Sequence, residues 1–172
     1  MLKRTAATAL ILTLLHTPAA AADCAPHYLG AAREVGHGEG RHFIFHAYDA
    51  KLLAPHGTFA MNKPFALTLT YRMQFSGKAI AREAAAQMRR MNVAGESDIN
   101  RWQQLMQTIF PDVTPGMAIT GLRLKSGATV FCTADGEIGR MTDPAFADAF
   151  FSIWLGAGAE NQDLRHQLTG TP

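Results

Sequence analysis

A stretch near the end of the chain, residues 143–156, constrains the fold most strongly. Asp143 is a good N-cap, Pro144 suits the first helical turn and Gly156 supplies a stop, so both ends of one helix are marked. Apolar residues recur on one face of this helix, at Ala147, Phe150, Phe151 and Trp154. Three large rings on one face need a broad apolar surface to bury them. We therefore predict that the helix lies across a sheet formed by upstream strands.

Strict alternation of apolar and polar residues predicts a strand over residues 66–75. Such alternation favours an antiparallel sheet with one apolar and one polar face. A second strand is predicted at residues 41–53, where aromatic and apolar residues are frequent. Three glycines at alternate positions precede it, and they indicate either a strand edge or an extended turn where another part of the chain approaches the backbone closely. These glycines are Gly36, Gly38 and Gly40.

The second half of the chain alternates between helical and strand patterns in blocks. Helices are predicted after Gly77, after Ser97 and at residues 161–168, in addition to the helix at residues 143–156. Turns at residues 125–127 and 134–136 divide the segment before Met141 into a meander of three short strands. Runs of strands and runs of helices predict an α+β fold, an antiparallel sheet with helices packed on one face.

The first 22 residues have the features of an export signal. Lys3 and Arg4 form a basic start, an apolar run follows at residues 6–15, and four alanines end at Ala22. We predict cleavage there and one exported domain over residues 23–172, periplasmic in a Gram-negative source. The whole sequence has 16 basic and 14 acidic residues, and the signal carries two of the basic ones. The remaining domain is therefore formally neutral, which argues against nucleic acid or an anionic membrane as a partner, and no membrane span is expected after cleavage.

The sequence contains two cysteines, Cys24 and Cys132. An exported compartment permits a disulfide between them, and two buried free thiols are the alternative. No Cys-x-x-Cys pair is present, and two cysteines alone do not make a four-ligand metal site.

Generic catalytic and metal-binding motifs are missing from the sequence. Within one strand His42 and His46 would lie about 13 Å apart, at about 3.3 Å per residue, too far to share a zinc ion. Nucleophile elbows, zinc-protease motifs and phosphate loops do not occur. Asp143 and Asp148 belong to a helix where capping and solvation explain them. We therefore predict no catalytic residue, metal or cofactor from motifs alone.

An ordered series of short blocks nevertheless resembles the bacterial, exported branch of the chalcone isomerase-like proteins. The blocks cover nearly the whole predicted domain and are residues 36–41, 47–52, 67–71, 110–116, 136–139, 143–146, 153–156 and 164–165. The resemblance implies an open-faced sandwich, in which a large antiparallel sheet and a helical layer enclose a ligand cleft.

The resemblance also assigns positions to the residues of the family's isomerases, which close the flavanone ring by intramolecular addition of a phenolate. Arg41 matches the arginine of those enzymes by its place after the glycines. In an ungapped match their tyrosine, lysine and asparagine fall at Ile80, Glu83 and Gln87. Ile80 lacks the hydroxyl of the tyrosine, Glu83 has the opposite charge to the lysine, and Gln87 keeps the amide of the asparagine. A site of this kind should hold a phenolate transition state poorly.

Other members of the family bind fatty acids through an arginine and a tyrosine. Arg41 suits the carboxylate, and Tyr48 or Tyr71 could donate the phenolic hydrogen bond, with Gln87 nearby. We therefore predict an exported binding protein for a small apolar or acyl ligand, without a cofactor. Two alternatives remain open at this point: an intramolecular lyase or isomerase of the chalcone isomerase type, with a compact planar pocket, and an envelope protein-interaction module, with no pocket but an exposed apolar patch.

Overall fold

The computed structural model describes residues 24–42 and 45–170. The predicted signal segment, residues 1–22, lies outside the described residues. The described strands are β1 (Ala32–His42), β2 (Phe45–Pro55), β3 (Phe65–Tyr71), β4 (Ala118–Arg123), β5 (Thr129–Thr133) and β6 (Gly136–Met141). The described helices are α1 (Ala25–Leu29), α2 (Gly77–Arg90), α3 (Glu96–Ile109), α4 (Pro144–Leu155) and α5 (Gln162–Thr169). None of these helices is long and apolar enough to cross a membrane.

The six strands form one sheet in the order β1-β2-β3-β4-β5-β6, and each is antiparallel to its neighbours. Helices α2 and α3 are inserted between β3 and β4, and α4 and α5 follow β6. The α+β prediction and the three-stranded meander are confirmed. Glycines with positive φ at Gly127 and Gly136 occupy the turns of the meander, where a side chain would be strained.

Helix α4 packs its rings against the sheet, as its aromatic face predicts. Asp143 caps the helix by accepting a hydrogen bond from the backbone N–H of Ala145 at 3.0 Å, and it also accepts one from the indole of Trp102 at 3.0 Å. Phe150 contacts a ring of the sheet, Phe131, at a centroid distance of 5.2 Å. Helices α2, α3 and α5 bury apolar residues in the same core. The sheet therefore carries a helical layer on this face.

A smaller apolar cluster lies on the opposite face of the sheet, under α1. Val130 and Cys132 of β5 belong to it, whereas Phe131 between them belongs to the main core. A disulfide joins Cys24, at the start of α1, to Cys132, with the two Cα atoms 6.4 Å apart. The sequence pattern did not reveal α1, because five residues are too few to show helical periodicity.

The glycines before residue 41 belong to a strand of their own. The strand predicted over residues 41–53 corresponds to β2, but its predicted start is wrong, because β1 runs to His42 and β2 begins at Phe45. His42 and His46 are consequently on two paired strands, so the distance argued from one strand does not apply to them. Glycine positions show no apolar alternation, and this hid the first strand of the pair.

These glycines allow close approach, as their spacing predicts. A Cβ at Gly36 would lie 2.0 Å from the carbonyl oxygen of Gln167, so α5 packs directly against the β1 backbone. A Cβ at Gly40 would lie 2.0 Å from the ring of Tyr48 on the neighbouring strand. The glycines thus make room for one helix and one aromatic ring.

The predicted strand at residues 66–75 is shorter than expected. Ladder pairing ends at Tyr71, and Phe75 then forms an isolated bridge with Val113. The backbone carbonyl of Tyr71 accepts a hydrogen bond from the N–H of Gly116. The end of β3 is therefore paired with the segment that precedes β4.

Replacing Gly36 with alanine should destabilise the protein by about 2–3 kcal/mol, because the new methyl group meets the backbone of α5, which cannot move aside as a side chain can. Urea denaturation measures this loss. Gly158→Ala is the matched control, since its nearest contact would be the flexible end of Met91 at 3.8 Å. Equal stability of the two variants would contradict the close packing of α5 on β1.

The disulfide should contribute strongly to stability because it closes a sequence separation of 108 residues. Replacing both Cys24 and Cys132 with alanine should lower the free energy of unfolding by about 2–5 kcal/mol. Reductant should destabilise the wild-type protein in urea and leave the double variant unchanged. A wild-type protein insensitive to reductant would show that the bridge does not contribute.

Candidate functional site

A cavity of about 780 Å³ lies between the sheet and the helical layer. Strands β1 to β5 contribute to its sheet wall, and helices α2, α4 and α5 contribute to its helical wall. Most of the lining is apolar, as is usual for a small-molecule site. The main apolar lining residues are Leu67, Leu69, Phe75, Ile80, Phe110, Ile119, Phe131, Phe150 and Ile153.

The structure places all four predicted ligand-binding residues around this cavity. Arg41 comes from β1, Tyr48 from β2, Tyr71 from the end of β3, and Gln87 from α2. Strand pairing brings three of them together, because Tyr48 is the partner of both Gly40, which precedes Arg41, and Tyr71. The sheet register therefore places an arginine and two phenols on three adjacent strands that line the cavity.

Arg41 lies at the solvent-exposed edge of the cavity. Its side chain is 61% exposed, and its guanidinium approaches the Glu39 carboxylate at 3.8 Å. An exposed ion pair at this distance is weak. The guanidinium thus retains donors that a ligand carboxylate could use in a bidentate pair.

Tyr48 is partly buried and its hydroxyl is positioned by a helix. The indole N–H of Trp154 on α4 donates to the Tyr48 oxygen at 2.8 Å. Burial raises the pKa of Tyr48, the negative charge of Glu83 raises it further, and the Trp154 hydrogen bond opposes both effects. Tyr48 is therefore a neutral phenol at physiological pH.

Tyr71 is buried beside Tyr48, with only 4% of its surface exposed. The two rings meet edge to face at a centroid distance of 6.3 Å. Burial raises the pKa of Tyr71, and Tyr48 adds to the effect. Both phenols accordingly resist ionisation, and phenolate chemistry on either would need strongly alkaline conditions.

The α2 side of the cavity carries a network of polar residues that bond to one another. Gln87 donates to Glu83 at 3.2 Å, and Arg90 donates to the same carboxylate oxygen at 3.0 Å. Arg90 also pairs with Glu160, in the segment between α4 and α5. The hydrogen bond that Arg90 donates to Glu160 raises the pKa of Arg90 most, and the one that it donates to Glu83 raises it further. Arg90 is thus held by two carboxylates, which leaves it less suited than Arg41 to bind an anionic ligand.

Several residues at the cavity were not predicted as site residues, namely Trp154, Arg82, Arg90 and Glu160. A partial signal exists for Arg90, because Gln87 and Arg90 follow Glu83 at the i+4 and i+7 positions of one helix face. No comparable signal exists for Glu160, which reaches the cavity from a connecting segment.

The part of the chain that the structure describes holds no cluster of three or more His, Cys, Asp or Glu residues suited to a metal ion. His46 instead pairs with Asp49 at 2.7 Å. Asp148 pairs with Arg123 of β4 at 2.8 Å, and Asp143 caps α4. Asp143 and Asp148 therefore both make structural contacts.

A family model described as chalcone isomerase-like matches residues 36–170. The chain belongs to the chalcone isomerase-like family. The predicted family and the predicted fold are confirmed by this match, which spans most of the chain. Among curated proteins, none matches this member of the family significantly.

The crystal structure of a fatty-acid binding protein from Arabidopsis thaliana is similar to this chalcone isomerase-like chain. The TM-score is 0.66 at 10% sequence identity, over 81% of this chain and 87% of the plant protein's chain. At this identity the likeness shows the shared fold.

The buried phenol of Tyr71 should make the protein sensitive to alkali. The unfolded chain releases this proton near the ordinary pKa of 10.0, whereas the folded protein retains it to higher pH. The free energy of unfolding should therefore be unaffected by this group below about pH 9 and fall as the pH rises through 10. Tyr71→Phe should reduce that slope in urea titrations. An equal slope in the variant would contradict the burial of an ionisable phenol.

Proposed function

We propose that the protein binds a small apolar acid, with the chain of the ligand in the cavity and its carboxylate at Arg41. The observation that carries the proposal is that Arg41 and the neutral phenol of Tyr48, on neighbouring strands, both line a largely apolar cavity. An apolar cavity of about 780 Å³ is within the range of small-molecule sites. The similar fold of the plant fatty-acid binding protein supports the same class of ligand.

Binding is favoured over isomerisation by the residues on α2. Ile80, Glu83 and Gln87, which match the isomerase positions, all line the cavity. Glu83 places a carboxylate where an isomerase carries a cation, and this negative charge opposes the formation of a phenolate nearby. We expect the protein to leave chalcone cyclisation at its uncatalysed rate.

A cavity of this size also favours a small-molecule binder over a module that acts only by binding other proteins. Export to the periplasm is part of the proposal, and it is supported by the features of residues 1–22. A disulfide between Cys24 and Cys132 is compatible with an oxidising compartment.

The acid-binding end can be tested with palmitate and methyl palmitate as probes, using calorimetry on delipidated protein. Arg41→Ala should weaken palmitate binding about ten- to hundredfold, because a charge-assisted pair is lost. Binding of the neutral ester should change little. An equal loss of affinity for palmitate and methyl palmitate in Arg41→Ala would show that Arg41 does not recognise the carboxylate.

Two matched arginine variants sharpen this experiment. Arg33 is an exposed residue of β1 away from the cavity lining, so Arg33→Ala should bind both probes normally. Arg82 lines the cavity from α2, and within the described residues it has no ion pair or hydrogen bond. A palmitate defect in Arg82→Ala with normal binding by Arg41→Ala would place the carboxylate at α2 and contradict the proposed orientation.

A further inference from the structure

The hydrogen bond between Trp154 and Tyr48 leaves the phenolic proton of Tyr48 available. An indole N–H can only donate, so at 2.8 Å it uses one of the acceptor sites on the Tyr48 oxygen. A phenol carries one proton in addition to its acceptor sites. That proton cannot be directed at Trp154 and needs an acceptor elsewhere.

The position of the Tyr48 ring is restricted from several sides. Gly40 lies opposite Tyr48 in the strand pair, and a Cβ there would overlap the ring at 2.0 Å. The Tyr71 ring contacts it edge to face, and the indole of Trp154 holds the hydroxyl end. The ring and its oxygen are therefore placed by strand register, by a neighbouring ring and by α4.

Within the described residues, the hydrogen bond from Trp154 is the one that Tyr48 makes, and Glu83 acts on Tyr48 through its charge without a hydrogen bond. The surrounding cavity wall is mainly apolar, and Leu69 and Ile153 contribute to it. Tyr48 is partly buried, and a ligand oxygen that accepts its hydrogen bond would give this donor a partner inside the cavity. The arrangement accordingly favours ligands with an acceptor oxygen near their polar end.

We propose that Trp154 is a positioning residue that directs the Tyr48 hydroxyl into the cavity, so that the site selects ligands whose head group carries an acceptor oxygen. Arg41 then selects for negative charge, and the Trp154–Tyr48 pair selects for the oxygen itself. The inference rests on the proposed function, since it assigns a second recognition element to the same cavity. Trp154 belongs to the apolar face of α4, where the sequence pattern indicates only core packing.

The two elements predict different responses to palmitate and methyl palmitate. Both probes carry an acceptor carbonyl, but only palmitate is charged. Trp154→Phe keeps an aromatic ring and removes the donor, so both probes should bind about three- to tenfold more weakly. Arg41→Ala should weaken palmitate alone. A Trp154→Phe variant that weakens neither probe, or palmitate alone, would overturn the inference while leaving the proposed function in place.

Trp102→Phe is the matched control for the loss of an indole donor. Trp102 donates to Asp143 and is absent from the cavity lining, so this variant should bind both probes normally if it remains folded by circular dichroism. Tyr48→Phe provides a second variant, which keeps the ring and removes the hydroxyl. It should weaken both probes at least as much as Trp154→Phe, and normal binding by Tyr48→Phe would overturn the inference.

A measurement without ligand separates this inference from the proposed function. Carbon NMR of ring-labelled tyrosine, assigned with Tyr48→Phe, follows the titration of Tyr48 in the folded protein. Trp154→Phe should raise the pKa of Tyr48, because the indole hydrogen bond favours the phenolate. If neither probe binds the wild-type protein, the proposed function fails, but the titration still tests whether Trp154 positions Tyr48. An unchanged Tyr48 pKa in Trp154→Phe would overturn that positioning role.

Discussion

Packing of the α4 rings against the sheet is the interaction on which both the core and the cavity depend. Phe150 lies at the centre of this packing, with Phe131 of the sheet and Trp154 of the same helix within 5.3 Å of its ring centroid. The same residues continue into the cavity wall. A fold that buries one helix face in this way places rigid aromatic groups around the ligand space, and rigid surroundings are what a selective site requires.

The polar groups of the cavity are divided between its two walls. On α2, Glu83, Gln87 and Arg90 bond to one another and to Glu160, so their hydrogen-bonding capacity is partly used within the protein. At the sheet end, Arg41 has only a weak partner at 3.8 Å. Among the described residues that line the cavity, donors without a strong partner therefore include Arg41 and Tyr48 on the sheet and Arg82 on α2. The proposed orientation of an apolar acid, with its carboxylate at Arg41, uses the sheet pair, and Arg82 is the competing position that the matched variants test.

Much of the fold could be predicted because its signals are local. Asp143 and Gly156 mark the ends of α4, and glycines mark the turns of the meander. The boundary between β1 and β2 has no local signal, because Gly36 to Gly40 show no apolar alternation, and α1 is too short to show helical periodicity. The candidate site could not be predicted from local signals alone. Tyr48 and Trp154 are 106 residues apart in sequence, and only tertiary structure joins them. Arg41, Tyr48, Tyr71 and Gln87 were reached through family resemblance, since no generic motif contains them.

The proposed function requires this cavity to hold an apolar acid in the living cell. Native mass spectrometry of the protein purified from the organism that makes it, followed by solvent extraction, shows whether it does. We expect one bound carboxylic acid per chain in the wild-type protein and a strongly reduced amount in Arg41→Ala. A wild-type protein recovered empty under conditions that preserve non-covalent complexes, or one carrying a ligand without an acidic group, would contradict the proposed function.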